Sequence, residues 1–172
     1  MCPVVPSDRM YKRWMSTYLY VCIMSAIYNF LQVSDVLACS GQPREDQLQD
    51  IAAGGYQVVI NLGLADGKYA LADETASVTG LGMAYHHIPV LFDNPQIDEL
   101  ELFVAKMNEH ANEKALIHCA ANYRASVFTG LYLLSTNKIN EVQMQEMIEN
   151  VWQPDAIWQQ FIEECVEYLN SK

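Results

Sequence analysis

Basic residues are scarce in this chain. Its 172 residues include 10 Lys and Arg against 21 Asp and Glu, a formal net charge of −11. Binding a phosphate backbone needs basic patches, so no nucleic-acid partner is expected. Cysteine is present but unorganised. Cys2, Cys22, Cys39, Cys119 and Cys165 have no metal-ligand spacing and, being five, form no even disulfide framework. The odd count favours a reducing compartment, so a cytoplasmic location is expected. Long apolar runs are also missing. Trp14 to Ala26, preceded by Arg9, Lys12 and Arg13, is shorter than the roughly 20 residues of a bilayer span and is interrupted by Ser16, Thr17 and Ser25. It has the outline of a signal peptide, which would make the protein periplasmic. Against that, a cut after Ala26 would put the large Met24 at the −3 position. Residues 1–30 are therefore read as an N-terminal extension, helical or weakly signal-like, and 31–172 as one domain. No internal repeat and no low-complexity tract is present.

What remains is an apolar chain, 51% hydrophobic by composition, enough to build a real core. Strand and helix patterns alternate along it. Val33 to Ala38 reads as a strand and Arg44 to Ala53 as a helix ended by Gly54-Gly55. Tyr56 to Leu62 reads as a strand buried on both faces, because Val58-Val59-Ile60 is continuously apolar. Leu71 to Thr79 reads as a helix, Met83 to Val90 as a strand and Ile97 to Ala111 as an amphipathic helix. Ile139 to Val151 and Pro154 to Leu169 close the chain as helices, with Pro154 suited to a first helical position. The expected architecture is α/β, a three-layer sandwich with a short, mainly parallel sheet flanked by helices. Ligands of such sheets bind beyond the carboxyl ends of the strands. The loops there are Cys39–Pro43, Gly63–Tyr69, Leu91–Gln96 and Cys119–Arg124.

The last of these loops carries the chemistry. Ala115-Leu116-Ile117 has the make-up of a buried strand, and Ser126, Val127, Phe128 and Leu131 are spaced as the inner face of a helix. Between them lie Cys119, Ala120, Ala121, Asn122, Tyr123 and Arg124. The free N–H groups of a first helical turn favour an anion, and their field favours thiolate over thiol. Arg124 offers a planar fork that fits two phosphate oxygens. A cysteine ending a strand is ordinarily inert core. Cysteine and arginine together, with His118 before them, make the functional reading the stronger one.

His118-Cys119, a short loop, Arg124 and then a hydroxyl residue resemble the phosphate loop of the cysteine-dependent protein tyrosine phosphatases. That signature has five residues between Cys and Arg; this chain has four, although Ser126 stands seven after Cys119 as expected. The loop also lacks the usual glycine. Asn122 is the best substitute, since Asn visits left-handed conformations most readily among non-glycine residues. Four intervening residues is equally the spacing of rhodanese-type sulfurtransferases, where Asn122 would take the place of their glycine. The loop alone leaves both chemistries open.

The flanks favour phosphate. Ser40-Gly41-Gln42-Pro43 after a strand, then VVINL, HIPV and IHCAANYRAS, resemble the bacterial phosphatase-like family that includes the β-lactamase-hydrolase-like proteins, a branch of the dual-specificity phosphatase fold. The resemblance spans roughly Tyr28 to Val151. It implies a protein-tyrosine-phosphatase-like fold and metal-independent, cofactor-free hydrolysis of a phosphorylated substrate of unstated identity, with phosphate or sulfate fitting the loop. Cys119 would attack phosphorus. Arg124 and the amides of Ala120, Ala121, Asn122 and Tyr123 would hold the oxygens. His118 would support the loop or serve as a core histidine, and Ser126 would ease thiolate departure or serve as an ordinary helix hydroxyl. Asp93, in the loop after the third strand, is the expected general acid. Asp98, explicable as a helix cap, and Asp66, explicable by a type I′ turn with Gly67, come after it. Of His86 and His87, one is expected to face the core. A persulfide-carrying sulfurtransferase and a non-catalytic phosphate-binding module are the competing readings.

Overall fold

The computed structural model describes Met24 and residues 26–171. Most of the expected extension, including its helix or signal-like segment, lies outside the described residues. Its described end packs into the domain, with Met24 and Ile27 both buried.

Five strands form one sheet: β1 (Leu31–Ser34), β2 (Leu37–Ser40), β3 (Val58–Asn61), β4 (Ala84–His87) and β5 (Ala115–His118), in the order β1-β2-β5-β3-β4. The last four run parallel, and β1 joins β2 antiparallel. The helices are α1 (Glu45–Ala53), α2 (Glu74–Thr79), α3 (Ile97–Glu109), α4 (Tyr123–Ser135), α5 (Glu141–Glu149) and α6 (Ala156–Asn170). Strand alternation divides the core between two layers. Leu116 and Val59 face α1 and α2 through Leu48, Ile51 and Val78. Ile117, Ile60 and Val58 face α3 to α6 through Phe103, Phe128, Leu131 and Trp158. β5 is thus central and covered on both sides, with all four of its residues buried. No described helix is long and apolar enough to cross a membrane.

Five local expectations are corrected. The single strand Val33–Ala38 is two strands joined by a tight turn at Asp35-Val36, where Val36 is exposed. The helix expected from Leu71 starts at Glu74, because the Asp73 side chain accepts from Ala76 N and caps it there. Asp155 does the same for α6 by accepting from Trp158 N, which leaves Pro154 before the cap rather than inside the helix. The Leu64–Gly67 turn is closed by Gly67 N donating to Leu64 O, but neither Asp66 nor Gly67 has the positive φ of a type I′ turn. Neither strand histidine is core either: His86 meets His110, Nε2 to Nε2, at 2.8 Å, and the exposed His87 meets Gly63 O through Nε2.

Candidate active site

Cys119 directly follows the central strand. Its amide donates to Ser40 O across β2, and on the other side Leu62 N donates to His118 O. The chain then turns sharply into α4. Asn122 makes the turn at φ 68° and ψ 5°, the left-handed conformation expected of it, and its side chain donates to Asn29 O at 2.7 Å. The loop carbonyls are tied outward: Ala120 O accepts from Gln42 N and Ala121 O from the Asn29 amide. The isolated antiparallel bridge between Gly41 and Ala121 engages the loop backbone, while the first-turn N–H groups of α4, from Tyr123 on, have no acceptor within the helix. Amides left free at a helix N-terminus, with their carbonyls turned away, form an anion-binding nest. Two glycines let neighbouring strands crowd this turn. A Cβ on Gly41 would lie 3.0 Å from Ala120 O, and one on Gly63 would lie 3.8 Å from Cys119 Cα and 2.9 Å from Asn61 Oδ1.

Arg124 is buried in the first turn of α4, and its Nη1 donates to Val90 O at 2.7 Å. The fork is thereby fixed against the segment that follows β4. It also lines a cavity of about 90 Å³, walled by Gln42, Gly63, Lys68, Tyr69 and Ala120. Of residues 119–124, Ala120 and Arg124 line it. A larger recess of about 520 Å³ adjoins it through Gln42, Tyr69 and Ala120 and is flanked by Tyr28, Pro43 and Leu71. Cys119 lies in neither wall and is 1% exposed. Ser126 Oγ donates to Tyr123 O.

Two further free cysteines, Cys39 and Cys165, are buried. Burial pushes the Cys39 thiol up to about 12, against a smaller lowering by Asn122 and Thr129. Burial also pushes Cys165 up to about 12, helped by Glu164. Neither can serve as a thiolate near neutral pH.

Asp93 is exposed in the loop between β4 and α3, and aromatic packing fixes that loop beside the nest. The Phe92 ring contacts Tyr123, Trp152 and Trp158 at centroid distances of 6.4, 5.8 and 5.5 Å. Trp158 Nε1 donates to Phe92 O, and Tyr123 stacks on Trp152 at 4.5 Å. Asp98 is exposed in the first turn of α3. Its neighbour Glu99 accepts from Gln96 N; partial burial raises its pKa against the pull of that amide and of Arg124. Asp66 sits in the exposed turn beyond β3, next to Gly67 and Lys68 of the cavity wall.

Sequence reasoning misses Glu74. This buried carboxylate accepts from Gln42 Nε2 (2.7 Å) and meets His118 Nε2 (3.1 Å) through Oε1, and accepts from Asn61 Nδ2 (2.6 Å) and Tyr85 OH (2.9 Å) through Oε2. Burial alone would push its pKa up. The His118 bond and charge, with the Gln42 and Tyr85 bonds, outweigh burial and hold it at about 2. Nothing in the sequence marks it, since an acidic residue in a first helical turn is ordinary.

A cysteine ending the central strand of a mostly parallel sheet, a tight turn and an arginine entering the next helix match the protein-tyrosine-phosphatase-like class of fold. No protein-family model matches the chain. A DUF442 protein of Shewanella putrefaciens CN-32, described as a candidate phosphatase, superposes with a TM-score of 0.79 at 35% identity, covering 87% of this chain and 98% of that one. The chain belongs to that DUF442 family of phosphatase-like proteins. The β-lactamase hydrolase-like proteins of two Xylella fastidiosa strains are 29% identical over 108 residues, 61% of this chain. The match spans only 24% of their length. Kinase-associated phosphatase shares the fold, with a TM-score of 0.71 at 15% identity over 83% of this chain and 95% of its own.

Proposed function

We propose that the chain is a metal-independent phosphatase that hydrolyses a phosphomonoester through a phosphocysteine on Cys119. The observation that carries this reading is the turn at 120–124, which leads into the N-terminus of α4 with the Ala120 and Ala121 carbonyls bonded outward and Arg124 fixed in the first helical turn. In the first step the Cys119 thiolate attacks phosphorus as the P–O bond to the leaving group breaks. The amides and the guanidinium carry the charge that gathers on the three equatorial oxygens. Asp93, which follows Phe92 in the loop packed on Tyr123, gives its proton to the leaving oxygen. In the second step water attacks the phosphocysteine, Asp93 takes a proton from it, and phosphate leaves with the thiolate restored. The loop is one residue shorter than in the resembled phosphatases, so the nest presents fewer amides and more of the charge falls to Arg124.

One observation favours a second reading. Cys119 is closed from solvent to 1%, which suits a module that binds phosphate without turning it over. Hydrolysis of p-nitrophenyl phosphate in EDTA separates the readings. Turnover that Cys119→Ser abolishes supports the phosphatase. Phosphate binding with no turnover supports the binding module, and transfer of sulfur from thiosulfate to cyanide supports a sulfurtransferase.

A further inference from the structure

The edge of the sheet carries a polar contact that hydrolysis as described does not use. β4 is hydrogen-bonded on one side only, to β3. Its His86 reaches His110, the residue that caps the C-terminal end of α3. The two rings meet through their Nε2 atoms at 2.8 Å, with centroids 4.9 Å apart and planes tilted by 48°. On its other side His110 Nδ1 faces Glu113 Oε1 at 3.2 Å.

These bonds fix where the protons sit. A carboxylate only accepts, so His110 Nδ1 carries a hydrogen. In the neutral ring Nε2 is then bare and accepts, and His86 Nε2 donates to it. A first proton can enter at His86 Nδ1, which bonds to none of the described residues, and the contact survives. A second must enter at His110 Nε2, the accepting atom itself. Both Nε2 atoms would then carry hydrogens and face each other between two cationic rings, and that contact cannot be kept.

We propose that the His86–His110 contact is an acid-sensitive latch on β4. It holds the edge strand to the end of α3 while the pair carries at most one extra proton, and it opens when both rings are charged. The latch rests on none of the catalytic roles assigned above.

The groups around the pair agree with this. Lys106 and Glu109 of α3 both act on His86, and Lys106 Nζ pairs with Glu109 at 2.8 Å, so their fields largely cancel. Glu113 bonds the far side of His110. Tyr85 and His87 adjoin His86 in the strand, but the Tyr85 hydroxyl turns to Glu74 and His87 Nε2 to Gly63 O. Ile60, beside His86 on β3, does not titrate. Burial first, then the charges of His110 and Lys106, lower the His86 pKa against the pull of Glu109, as expected of a ring that resists charging beside another.

What the latch holds reaches the nest. The chain leaving β4 bonds inward through Ile88 N to Asn61 O and Val90 N to Leu62 O, and Val90 O accepts from Arg124 Nη1. Opening at His86 loosens the segment that fixes the guanidinium.

Amide hydrogen exchange, resolved by residue with NMR and corrected for its intrinsic pH dependence, tests this at pH 7 and pH 5, a window roughly centred on histidine titration and above that of ordinary carboxylates. In the wild type, protection at Ile88 and Val90 is expected to fall about tenfold at pH 5, while Leu116 of the buried β5 keeps its protection. In His86→Gln a carboxamide can either donate to His110 Nε2 or accept from it, and the second charge cannot form, so a fall of less than about twofold is expected. Equal protection at both pH values in the wild type overturns the latch, and so does an equal fall in His86→Gln. A fall shared by Leu116 is global unfolding and also overturns it. Should His86→Gln not fold, His110→Gln is expected to show the same flat response, and a tenfold fall there contradicts the proposal.

Discussion

Asn122 does at one position what a glycine does in the resembled loops. It holds the left-handed turn into α4, and its side chain ties the turn to Asn29. Alanine there pays the left-handed penalty and loses that bond. Asn122→Ala is expected to lose about 1–2 kcal/mol in urea denaturation, and Asn122→Gly less. Arg124 is positioned as a fork, which an ammonium cannot replace. Arg124→Lys is expected to lower kcat/KM for p-nitrophenyl phosphate about 100-fold without loss of the fold. Both residues are legible in the sequence, because spacing from Cys119 and the conformational habit of Asn are local properties. Glu74 is not legible. Its partners Gln42, Asn61, Tyr85 and His118 come from four separate segments, and only the sheet order brings them together.

At the scale of elements, α6 holds the loop that carries the expected acid. Trp158 is buried against Phe128 and Phe161, and its indole N–H is bonded to Phe92 O. Trp158→Ala should cost about 3–5 kcal/mol of stability, read by denaturant unfolding. Trp158→Phe keeps a ring but frees the loop carbonyl. It should lower kcat for alkyl phosphates, whose leaving oxygen needs a proton, more than for p-nitrophenyl phosphate, and Asp93→Asn should show the same pattern more strongly, about 100-fold on alkyl esters. Equal losses on both substrates would contradict a proton-donating role for this loop. Helix and strand periods reveal α1, α3, β3 and β5 directly, since each has a clear face or a doubly buried run. The β1–β2 turn escapes because Val36 is apolar yet exposed, so the run through it imitates one strand. The starts of α2 and α6 escape because an Asp side chain rather than hydrophobic spacing fixes them.

For the molecule as a whole, the Glu74 cluster ties acid stability to the site. Its folded pKa of about 2 lies below the ordinary 4.5 of an unfolded glutamate, so its contribution is present above pH 4.5 and is lost as pH falls toward 2. The size is about 3 kcal/mol from the shift alone. Wild type should therefore lose stability over that window more steeply than Glu74→Gln, as measured by unfolding at fixed pH. Parallel curves would contradict the burial and bonding described for this carboxylate. Against a net charge of −11, Arg124 and Lys68 bring two cationic side chains to the walls of one small cavity beside the turn.

The central claim is that sulfur, once a phosphate ester is seated, becomes bonded to phosphorus. Rapid acid quench of the enzyme mixed with p-nitrophenyl phosphate, followed by mass spectrometry of the Cys119 peptide, measures this directly. The account predicts one added phosphoryl group on Cys119, formed within the first turnover and absent from Cys119→Ser. Steady release of p-nitrophenol with Cys119 unmodified at every quench time, or undiminished release by Cys119→Ser, would contradict it.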